Sequence, residues 1–324
     1  MSAVILHEAT LRECVGIDRP ALDCIAESFG WLHDGRATVP PVAHIAASDR
    51  HGEVDIKTAY VSGVDRFAVK IAAGFPGNAA RGLPTGSGMM VVFSAETGFC
   101  EAVLLDNGYL TDLRTGLAGA VAADRLANRE IGTVGILGAG VQARYQLLSL
   151  ALVRRINRVL VWGRSHDHVA AYVDEMQAHH GIRIDIAESP ESLVRESNLL
   201  VTITASRSPI VRADWMQAGL HITAAGADFP GKQELEPAVL ERADRLFCDR
   251  LEQCRQLGEL QHWNGEAPLQ AVELGAVVRG AAPGRQSDSE ITVCDLTGVG
   301  VQDTAIADRA CVVARARFPE LFAG

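Results

Sequence analysis

The sequence predicts an α/β protein whose larger part is a doubly wound parallel sheet. Three observations lead to this prediction. Apolar runs of strand length alternate with helical runs from residue 133 onwards, which is the pattern of βαβ units. A glycine turn joins the first of these strands to the helix that follows it. Before residue 115 strands follow one another directly, which favours a mainly antiparallel sheet with one or two helices.

The composition limits the class of protein. The chain has 324 residues, of which 48% are hydrophobic, enough for one large or two moderate domains. A formal net charge of −10 without a basic tract argues against a nucleic-acid partner. There is no apolar stretch of about 20 residues and no signal peptide, so we expect a cytoplasmic protein without a membrane partner.

The seven cysteines are interpreted as reduced structural thiols. Their number is odd and no pair has C-x-x-C spacing, which is typical of a reducing compartment. Cys–His spacing of the zinc type is absent as well, so no metal site is predicted. One thiol could be a nucleophile, but no neighbouring residue favours this.

The first part of the chain contains five predicted strands and two predicted helices. Pro20 suits the first turn of the first helix. Small residues such as Gly116 would let the second helix approach another backbone closely. The strands are Val4–Leu6, Val54–Tyr60, Phe67–Ala72, Met89–Ser94 and Cys100–Leu105, and the helices are Asp18–Phe29 and Asp112–Leu126.

The most specific signal is a strand, a glycine turn, a helix and a second strand between Thr133 and Ser165. The turn has the form G-x-G-x-x-A, and such a match alone can be purely structural. Here the flanking elements are those of the dinucleotide-binding (Rossmann) fingerprint, with the phosphates at the helix N-terminus. The strands are Thr133–Leu137 and Val159–Trp162, the helix is Val141–Leu152, and the cofactor contacts are Gly138, Ala139, Gly140, Val141, Gln142 and Ala143.

The residues after the second strand favour NADP(H) over NAD(H), although NAD(H) stays possible. NAD sites usually place an acid there for the ribose 2′-hydroxyl, whereas an arginine suits a 2′-phosphate. This chain has Arg164 and Ser165, and no acid before Asp167. Arg164 can bind a phosphate with two hydrogen bonds and Ser165 can add a hydroxyl donor. The alternative is a solvated arginine at a strand end.

The alternation continues to the end of the chain. Thr204 is placed at the carboxyl end of a strand, where a cofactor would lie. A second glycine turn, Gly298 to Gly300, precedes the last helix. The further strands are Arg183–Ile186, Leu199–Thr204, His221–Ala225, Arg245–Phe247 and Ile291–Leu296, and the further helices are Val169–His180, Pro190–Glu196 and Ala305–Arg317.

Four polar residues are candidates for chemistry. Lys70 lies within an apolar strand, either as an edge residue that reaches solvent or as a buried functional amine. Arg114 could hold a substrate carboxylate or form a salt bridge with Asp112. Asp228 could exchange protons with a substrate nitrogen or bind its own backbone in a turn. Asp303 is predicted to cap the last helix.

The chain resembles the ornithine cyclodeaminase/mu-crystallin family over nearly its whole length. Two further runs, at residues 104–111 and 258–260, are most similar to the branch of cyclodeaminase-like proteins of ectoine utilisation. The motifs that carry the family resemblance are Thr111 to Thr115 (TDLRT), Gly138 to Ala143 (GAGVQA), Gly226 to Leu235 (GADFPGKQEL) and Asp295 to Asp303 (DLTGVGVQD).

The resemblance implies a homodimer in which a Rossmann domain interrupts a substrate-binding and dimerisation domain. We place the first part of the latter at residues 1–115, the Rossmann domain at 116–297 and the return at 298–324. The resemblance also implies hydride transfer between the nicotinamide C4 and the α-carbon of a small α-imino or α-amino acid.

The family's functional residues are carried over where the motifs match. Lys70 and Arg114 match substrate-carboxylate contacts, and Lys70 is also assigned to catalysis. Asp228 matches the acid/base residue of the cyclodeaminases. Thr115, Val299 and Gly300 are assigned to the cofactor, the last two as a glycine turn beside the nicotinamide.

One departure concerns the N-terminal region. Many members carry an arginine after two prolines, whereas Pro40 and Pro41 are followed here by Val42. One carboxylate donor is therefore lost or replaced, for which the candidates are Arg36, His44 and Lys57. Ornithine becomes a doubtful substrate.

Three functions are compatible with these residues. The first is an NADPH-dependent reductase of a small α-imino acid, or the reverse oxidation of an amino acid, which Arg164 favours. The second is a cyclodeaminase that uses bound cofactor catalytically on a diamino acid and releases ammonia. It is favoured by Asp228. The third is a non-catalytic NADPH-binding protein, against which the presence of Lys70, Arg114 and Asp228 argues.

Overall fold

A computed structural model of the protein describes residues 3–181 and 183–322. The chain forms two compact units. The first comprises the residues up to Arg114 together with those from Val299 onwards, and the second comprises Thr115–Gly298. The sequence prediction placed the corresponding boundaries at residues 115/116 and 297/298.

The first unit is a mixed sheet with helices. Its strand order is β1-β7-β6-β5-β4-β2, with β3 also paired to β4, and every pair except the parallel β1–β7 pair is antiparallel. This confirms the mainly antiparallel sheet. The strands are β1 (Val4–His7), β2 (Ala37–Thr38), β3 (Ala43–Ala47), β4 (Gly52–Val61), β5 (Arg66–Gly74), β6 (Gly86–Ser94) and β7 (Cys100–Leu105), and the helices are α1 (Glu8–Cys14), α2 (Arg19–His33), the start of α3 (Tyr109–Leu126) and α10 (Gly300–Arg317).

Local sequence signals explain several of these elements. The Asp18 carboxylate accepts a hydrogen bond from the Ala21 backbone N–H (2.7 Å) and caps α2, with Pro20 in its first turn. On one face of the sheet Ala59 and Ala68 are fully buried, and their small side chains keep that face flat. Helix α10 lies on that face, and the Thr304 hydroxyl donates to the Ala59 carbonyl (2.8 Å).

The second unit is a doubly wound α/β domain, as predicted. Its main sheet has eight parallel strands in the order β10-β9-β8-β11-β13-β17-β15-β16, and β12 pairs separately with β14. The central strands are buried along their length, as expected for a parallel sheet with helices on both faces. The strands are β8 (Thr133–Leu137), β9 (Arg158–Trp162), β10 (Ile184–Ile186), β11 (Leu199–Thr202), β12 (Arg207–Val211), β13 (His221–Ala224), β14 (Gln233–Leu235), β15 (Arg245–Cys248), β16 (Val272–Glu273) and β17 (Thr292–Asp295), and the helices after α3 are α4 (Val141–Leu150), α5 (His166–His180), α6 (Pro190–Glu196), α7 (Pro237–Arg242), α8 (Leu251–Leu257) and α9 (Leu274–Val278).

The structure differs from the sequence predictions at several elements, including helices α3 and α5, which begin three residues earlier than predicted. Helix α1 was not predicted, because its seven residues follow β1 without a turn residue. Strand β11 ends at Thr202, so Thr204 lies two residues beyond it. Helix α10 begins at Gly300, five residues before the predicted start. Within residues 3–181 and 183–322, no helix combines the length and apolar character needed to cross a membrane.

Candidate active site

The glycine turn of the second unit has the geometry that a dinucleotide requires. Gly138 has a φ of +123°, and a Cβ there would lie 2.8 Å from the Ile203 carbonyl oxygen. A Cβ on Gly140, in contrast, would meet nothing within 4 Å. Gly140 precedes α4, which has no side-chain cap, and Ala143 packs fully buried against the sheet. The turn therefore leaves room for a phosphate at a helix N-terminus.

Arg144 supports this turn and was not predicted. Its Nη1 donates to the carbonyl oxygens of Ala139 (3.1 Å) and Gly140 (3.0 Å), and its Nε donates to the Glu175 carboxylate (2.8 Å). The guanidinium thus fixes the turn from the helix that follows. The sequence contained one indication of this role. Arg144 lies four residues after Gly140, and residues i and i+4 share a helix face.

The predicted determinants of cofactor choice lie just beyond β9. Arg164 is exposed, so its guanidinium is accessible to a ligand. The Ser165 hydroxyl oxygen caps α5 by accepting a hydrogen bond from the His168 N–H (3.4 Å). Ser165 therefore has a structural role, and its O–H can still donate to a second group.

Thr115, Gln142 and Val141 occupy helices α3 and α4. The Thr115 carbonyl accepts a hydrogen bond from Gln146 Nε2 (3.0 Å). A Cβ on Gly116 would lie 2.6 Å from the Tyr145 carbonyl oxygen, which confirms that small residues permit close backbone approach. Val141, the first residue of α4, is 58% exposed, and Gln142 is half-buried beside it.

Glu234 connects the two loops that carry Thr204 and Asp228. One carboxylate oxygen accepts a hydrogen bond from the Thr204 N–H (2.6 Å), and the other accepts one from the Gly226 N–H (3.1 Å). A Cβ on Gly226 would lie 2.4 Å from Glu234 Oε2, so only glycine fits. Burial raises the pKa of Glu234 to about 7, against the effect of its hydrogen bonds with Thr204 and Thr202.

Asp228 is half-exposed and forms an ion pair with Lys232. Lys232 Nζ lies 2.6 Å from Asp228 Oδ1, and the Asp228 side chain is 43% exposed. A carboxylate that is both accessible and paired with an ammonium group can accept or return a proton. The role of Asp228 in proton transfer stays a prediction.

Three further buried acids organise the same edge of the sheet and were not predicted. Glu259 accepts hydrogen bonds from the N–H groups of Glu234 (2.7 Å) and Leu235 (3.1 Å). Asp295 accepts one from the Leu260 N–H (2.9 Å). Burial raises the pKa of Glu259 to about 9 and that of Asp295 to about 8.

Asp249 is the third of these acids. Its Oδ2 accepts hydrogen bonds from the N–H groups of Thr297 (2.8 Å) and Gly298 (2.7 Å) and so orders the second glycine turn. The available signal was its position directly after a buried strand, at the carboxyl edge of the predicted sheet.

In the first unit, Lys70, Arg114 and Asp303 form one buried group. Lys70 Nζ lies 3.3 Å from Asp303 Oδ2, and Arg114 Nε donates to Asp303 Oδ1 (3.0 Å). The side chains of Lys70, Arg114 and Asp303 are 2%, 5% and 0% exposed. The predicted cap role of Asp303 is wrong. Because α10 begins at Gly300, Asp303 lies one turn inside the helix and directs its carboxylate at two cations.

The environment of Lys70 disfavours its charge. Burial lowers the pKa of Lys70 to about 7, and the nearby positive charge of Arg114 adds to the effect, whereas Asp303 opposes it. Arg114 is a permanent cation and also donates to Gln302 Oε1 (3.3 Å). The interpretation of Lys70 as an edge residue that reaches solvent is therefore wrong. The alternative, a buried functional amine, is retained.

Val299 and Gly300 form the start of α10. The Val299 N–H donates to Gln302 Oε1 (2.8 Å). A Cβ on Gly300 would lie 2.2 Å from the Thr58 carbonyl oxygen, so glycine is required by contact with β4. This explains Gly300 structurally, and its assignment to the cofactor stays a prediction. In the parts of the chain that the structure describes, no group of three or more His, Cys, Asp or Glu residues could hold a metal ion.

Comparison with known proteins places these features in a family. The sequence profile of the ornithine cyclodeaminase/mu-crystallin family matches residues 2–315. An uncharacterised cyclodeaminase of Sinorhizobium fredii is 45% identical, and the alignment covers 94% of each chain. Iminosuccinate reductase of Paracoccus denitrificans is 32% identical over 94% of this chain and 95% of the relative.

Solved structures agree with the sequence comparison. An archaeal alanine dehydrogenase dimer with bound NAD superposes with a TM-score of 0.87 at 32% identity, over 98% of this chain and 97% of the other. Δ1-Pyrroline-2-carboxylate reductase of Thermococcus litoralis, in complex with NADH and L-proline, has a TM-score of 0.89 at 26% identity, over 97% and 98% of the two chains.

Proposed function

The chain belongs to the ornithine cyclodeaminase/mu-crystallin family, and we propose that it is an NAD(P)H-dependent oxidoreductase of a small α-imino or α-amino acid. In the favoured direction, the α-carbon of the imine accepts a hydride and its nitrogen a proton, which gives the amino acid. The observation that carries the proposal is the buried group of Lys70, Arg114 and Asp303. While Lys70 is protonated, two buried cations share one carboxylate, which leaves a positive charge for a substrate carboxylate.

The roles of the residues follow from their contacts. Arg114 would bind the substrate carboxylate through two N–H groups of its guanidinium. Asp303 would hold Arg114 and Lys70 in place. Lys70, with a pKa of about 7, can exist in either protonation state at neutral pH and is proposed to contribute to proton transfer as well as binding. Asp228 would exchange a proton at the substrate nitrogen.

The second unit is proposed to hold the dinucleotide at the turn from Gly138 to Ala143. The open space at Gly140 and the uncapped start of α4 support this assignment. When bound, the reduced nicotinamide supplies the hydride. We propose that Arg164 and Ser165 favour NADP(H), because no acid lies between β9 and Arg164 to bind a ribose 2′-hydroxyl. The similar alanine dehydrogenase and pyrroline-2-carboxylate reductase were solved with NAD and NADH, so NAD(H) is the competing cofactor.

We also propose a homodimer assembled through the first unit. This unit exposes several large apolar side chains, among them Ile5, Ile45 and Phe99, which are 55%, 55% and 69% exposed. Burial of such side chains against a second copy of the chain would remove apolar surface from water. The similar archaeal alanine dehydrogenase is a dimer. Cytoplasmic location and membership of the ectoine-utilisation branch stay predictions.

A cyclodeaminase is the second candidate, and the 45% identical relative with that name favours it. The two functions differ in the consumption of cofactor. The purified protein should be given NADPH or NADH with a panel of linear and cyclic imino acids, and separately NAD(P)⁺ with diamino acids while ammonia is measured. Loss of one reduced cofactor for each imine consumed supports the reductase. Ammonia release without net change in cofactor supports the cyclodeaminase.

A further inference from the structure

The side chain of Gln302 contains a buried donor for which the first unit offers no acceptor. Gln302 is 1% exposed and lies in the first turn of α10. Its Oε1 accepts hydrogen bonds from the Val299 N–H (2.8 Å) and from Arg114 Nη1 (3.3 Å). Its Nε2 is buried and has no hydrogen-bond partner among residues 3–181 and 183–322. A buried donor without an acceptor costs free energy, so a group that supplies the acceptor is expected.

The contacts of Oε1 fix the orientation of this amide. The Val299 N–H is a donor, and the guanidinium of Arg114 has donors but no acceptor. Turning the amide over would place Nε2 against both groups and replace two hydrogen bonds by two donor–donor contacts. The atom of Gln302 without a partner is therefore the nitrogen, and its partner must be an acceptor.

Capping of the helix explains the oxygen of Gln302 but not its nitrogen. Gln302 is the third residue of α10, and its contact with the Val299 N–H is one half of a capping box. Glutamate forms the same contact, and its charge suits the positive end of a helix. Asp303 is a poor acceptor for Nε2, because adjacent residues do not face each other on a helix. Its carboxylate is directed at Lys70 and Arg114 instead. The cap therefore has no use for the amide nitrogen.

The surroundings of Nε2 favour an anionic acceptor. Arg114 is a permanent cation, and its Nε already donates to Asp303 Oδ1 (3.0 Å). The two polar atoms of one amide are about 2.3 Å apart, so Gln302 Nε2 lies at most about 5.6 Å from Arg114 Nη1. A carboxylate has two oxygens and can accept hydrogen bonds from two neighbouring donors. A carboxylate that binds Arg114 can therefore reach Gln302 as well.

The three basic residues considered as replacements for an arginine at position 42 do not include Gln302. Arg36 donates to a backbone carbonyl from Nε (3.0 Å) and Nη2 (2.7 Å). His44 is exposed, and its Nδ1 contacts an aspartate of β4 (2.7 Å). Lys57 is buried and stays a candidate. Gln302 combines burial, contact with Arg114 and an unused donor.

We propose that Gln302 Nε2 donates a hydrogen bond to the α-carboxylate of the substrate, beside Arg114. The inference rests on the proposed function and adds a binding residue to it. Arg114 supplies the charge, and Gln302 supplies a neutral donor whose direction is fixed by its oxygen. The contact leaves hydride and proton transfer unchanged. The competing acceptor is the carboxamide oxygen of a nicotinamide, because Val299 is assigned to the cofactor.

The first test observes the amide group itself. Protein with ¹⁵N-labelled glutamine side chains is titrated with propionate, a carboxylate that cannot be reduced by a nicotinamide. The Gln302 resonances are identified by their absence from the spectrum of Gln302→Met. Gln302→Glu serves the same purpose if that variant does not fold, because it keeps an oxygen for the Val299 N–H. We expect one Gln302 amide proton to shift downfield with propionate and to saturate.

The second test measures the affinity for propionate by calorimetry. Gln302→Met should weaken binding by about tenfold or more, because a hydrogen bond to a charged group is lost. Thr304→Val is the matched control on α10. The Thr304 hydroxyl donates to the Ala59 carbonyl (2.8 Å) and accepts from the Ala68 N–H (3.1 Å). Its loss should lower the melting temperature and leave the affinity for propionate unchanged within about twofold.

The outcomes separate this inference from the proposed function. An amide that does not respond to propionate would overturn the contact, and weaker binding by Gln302→Met would then reflect a cap that positions Arg114. A response to NADPH or NADH but not to propionate would assign the amide to the cofactor and also overturn it. If the wild type does not bind propionate, the carboxylate site itself fails. The expected response without reduction of any imino acid would support the contact and contradict the reductase.

Discussion

Lys70 Nζ lies 3.3 Å from Asp303 Oδ2 in a part of the first unit that solvent does not reach. The same carboxylate binds Arg114 through its other oxygen. One acid therefore fixes two cations that come from different elements, a strand and a helix. While Lys70 is protonated, one carboxylate faces two cations, and we propose that the remaining positive charge binds an anionic substrate.

Asp303→Asn should remove both ion pairs while keeping the size of the side chain. Two buried cations would lose their partner, so we expect a loss of about 3–5 kcal/mol in the free energy of unfolding and a higher KM for the imino acid. Asp308→Asn is the control, because Asp308 lies on the same helix and pairs with Arg66 but is 26% exposed. Asp308→Asn should lower the free energy of unfolding by less than about 1 kcal/mol. Equal effects of the two variants would contradict the assigned role of Asp303.

The pH dependence of carboxylate binding should follow the protonation state of Lys70. Its pKa is lowered to about 7, so the ammonium form is present below that pH and is lost above it. A competitive carboxylate inhibitor should therefore bind more weakly as pH rises, by up to about tenfold per unit above the pKa of the free protein. Lys70→Arg, which stays charged, should flatten this dependence. An inhibition constant that is independent of pH in the wild type would refute the assignment.

Asp228→Asn should separate proton transfer from cofactor binding. We expect turnover to fall about a hundredfold or more, because the proton at nitrogen loses its carboxylate partner. The dissociation constant of the cofactor should stay unchanged. Lys232→Met serves as the comparison, since it removes the partner of Asp228 but keeps the carboxylate. Near-normal turnover in Asp228→Asn would contradict proton transfer by this residue and favour an aspartate that only binds its own backbone in a turn.

Arg164→Ala should change the choice of cofactor. Loss of a charge-assisted contact with the 2′-phosphate should weaken the binding free energy of NADPH by about 1–3 kcal/mol and that of NADH much less. Arg183→Ala is the matched control, because Arg183 is another exposed arginine of the second unit, with its side chain 73% exposed. Binding titrations with both cofactors decide the point. Equal losses for NADPH and NADH would remove the argument for NADP(H).

The parts of the fold that were predicted are those with strong local signals. The strand β8, the turn at Gly138 and the start of α4 occur where the sequence places them, because apolar runs and glycines act within a few residues. Helix α1 was missed, since seven residues without a capping side chain carry little pattern. The first turn of α10 was missed because it begins with glycine, which is a poor helix former.

The site residues that escaped prediction depend on contacts between distant parts of the chain. Asp303 meets Arg114 across 189 positions of sequence, so its role could not be read from its neighbours. Glu234 lies in a motif that carried the family resemblance, yet its contacts with Thr204 and Gly226 needed the folded loops. The register of β4 and β5 places Lys57 opposite Lys70, a pairing that neither strand's own sequence reveals.

Hydride transfer to the α-carbon is the central claim, and isotope transfer tests it most directly. The protein should be incubated with an imino acid and NADPH or NADH that carries deuterium in the transferable position at C4, and the amino acid product analysed by mass spectrometry and NMR. We predict one deuterium for each product molecule, located on the α-carbon. An amino acid without deuterium, or oxidation of the cofactor without an amino acid product, would contradict the proposed function.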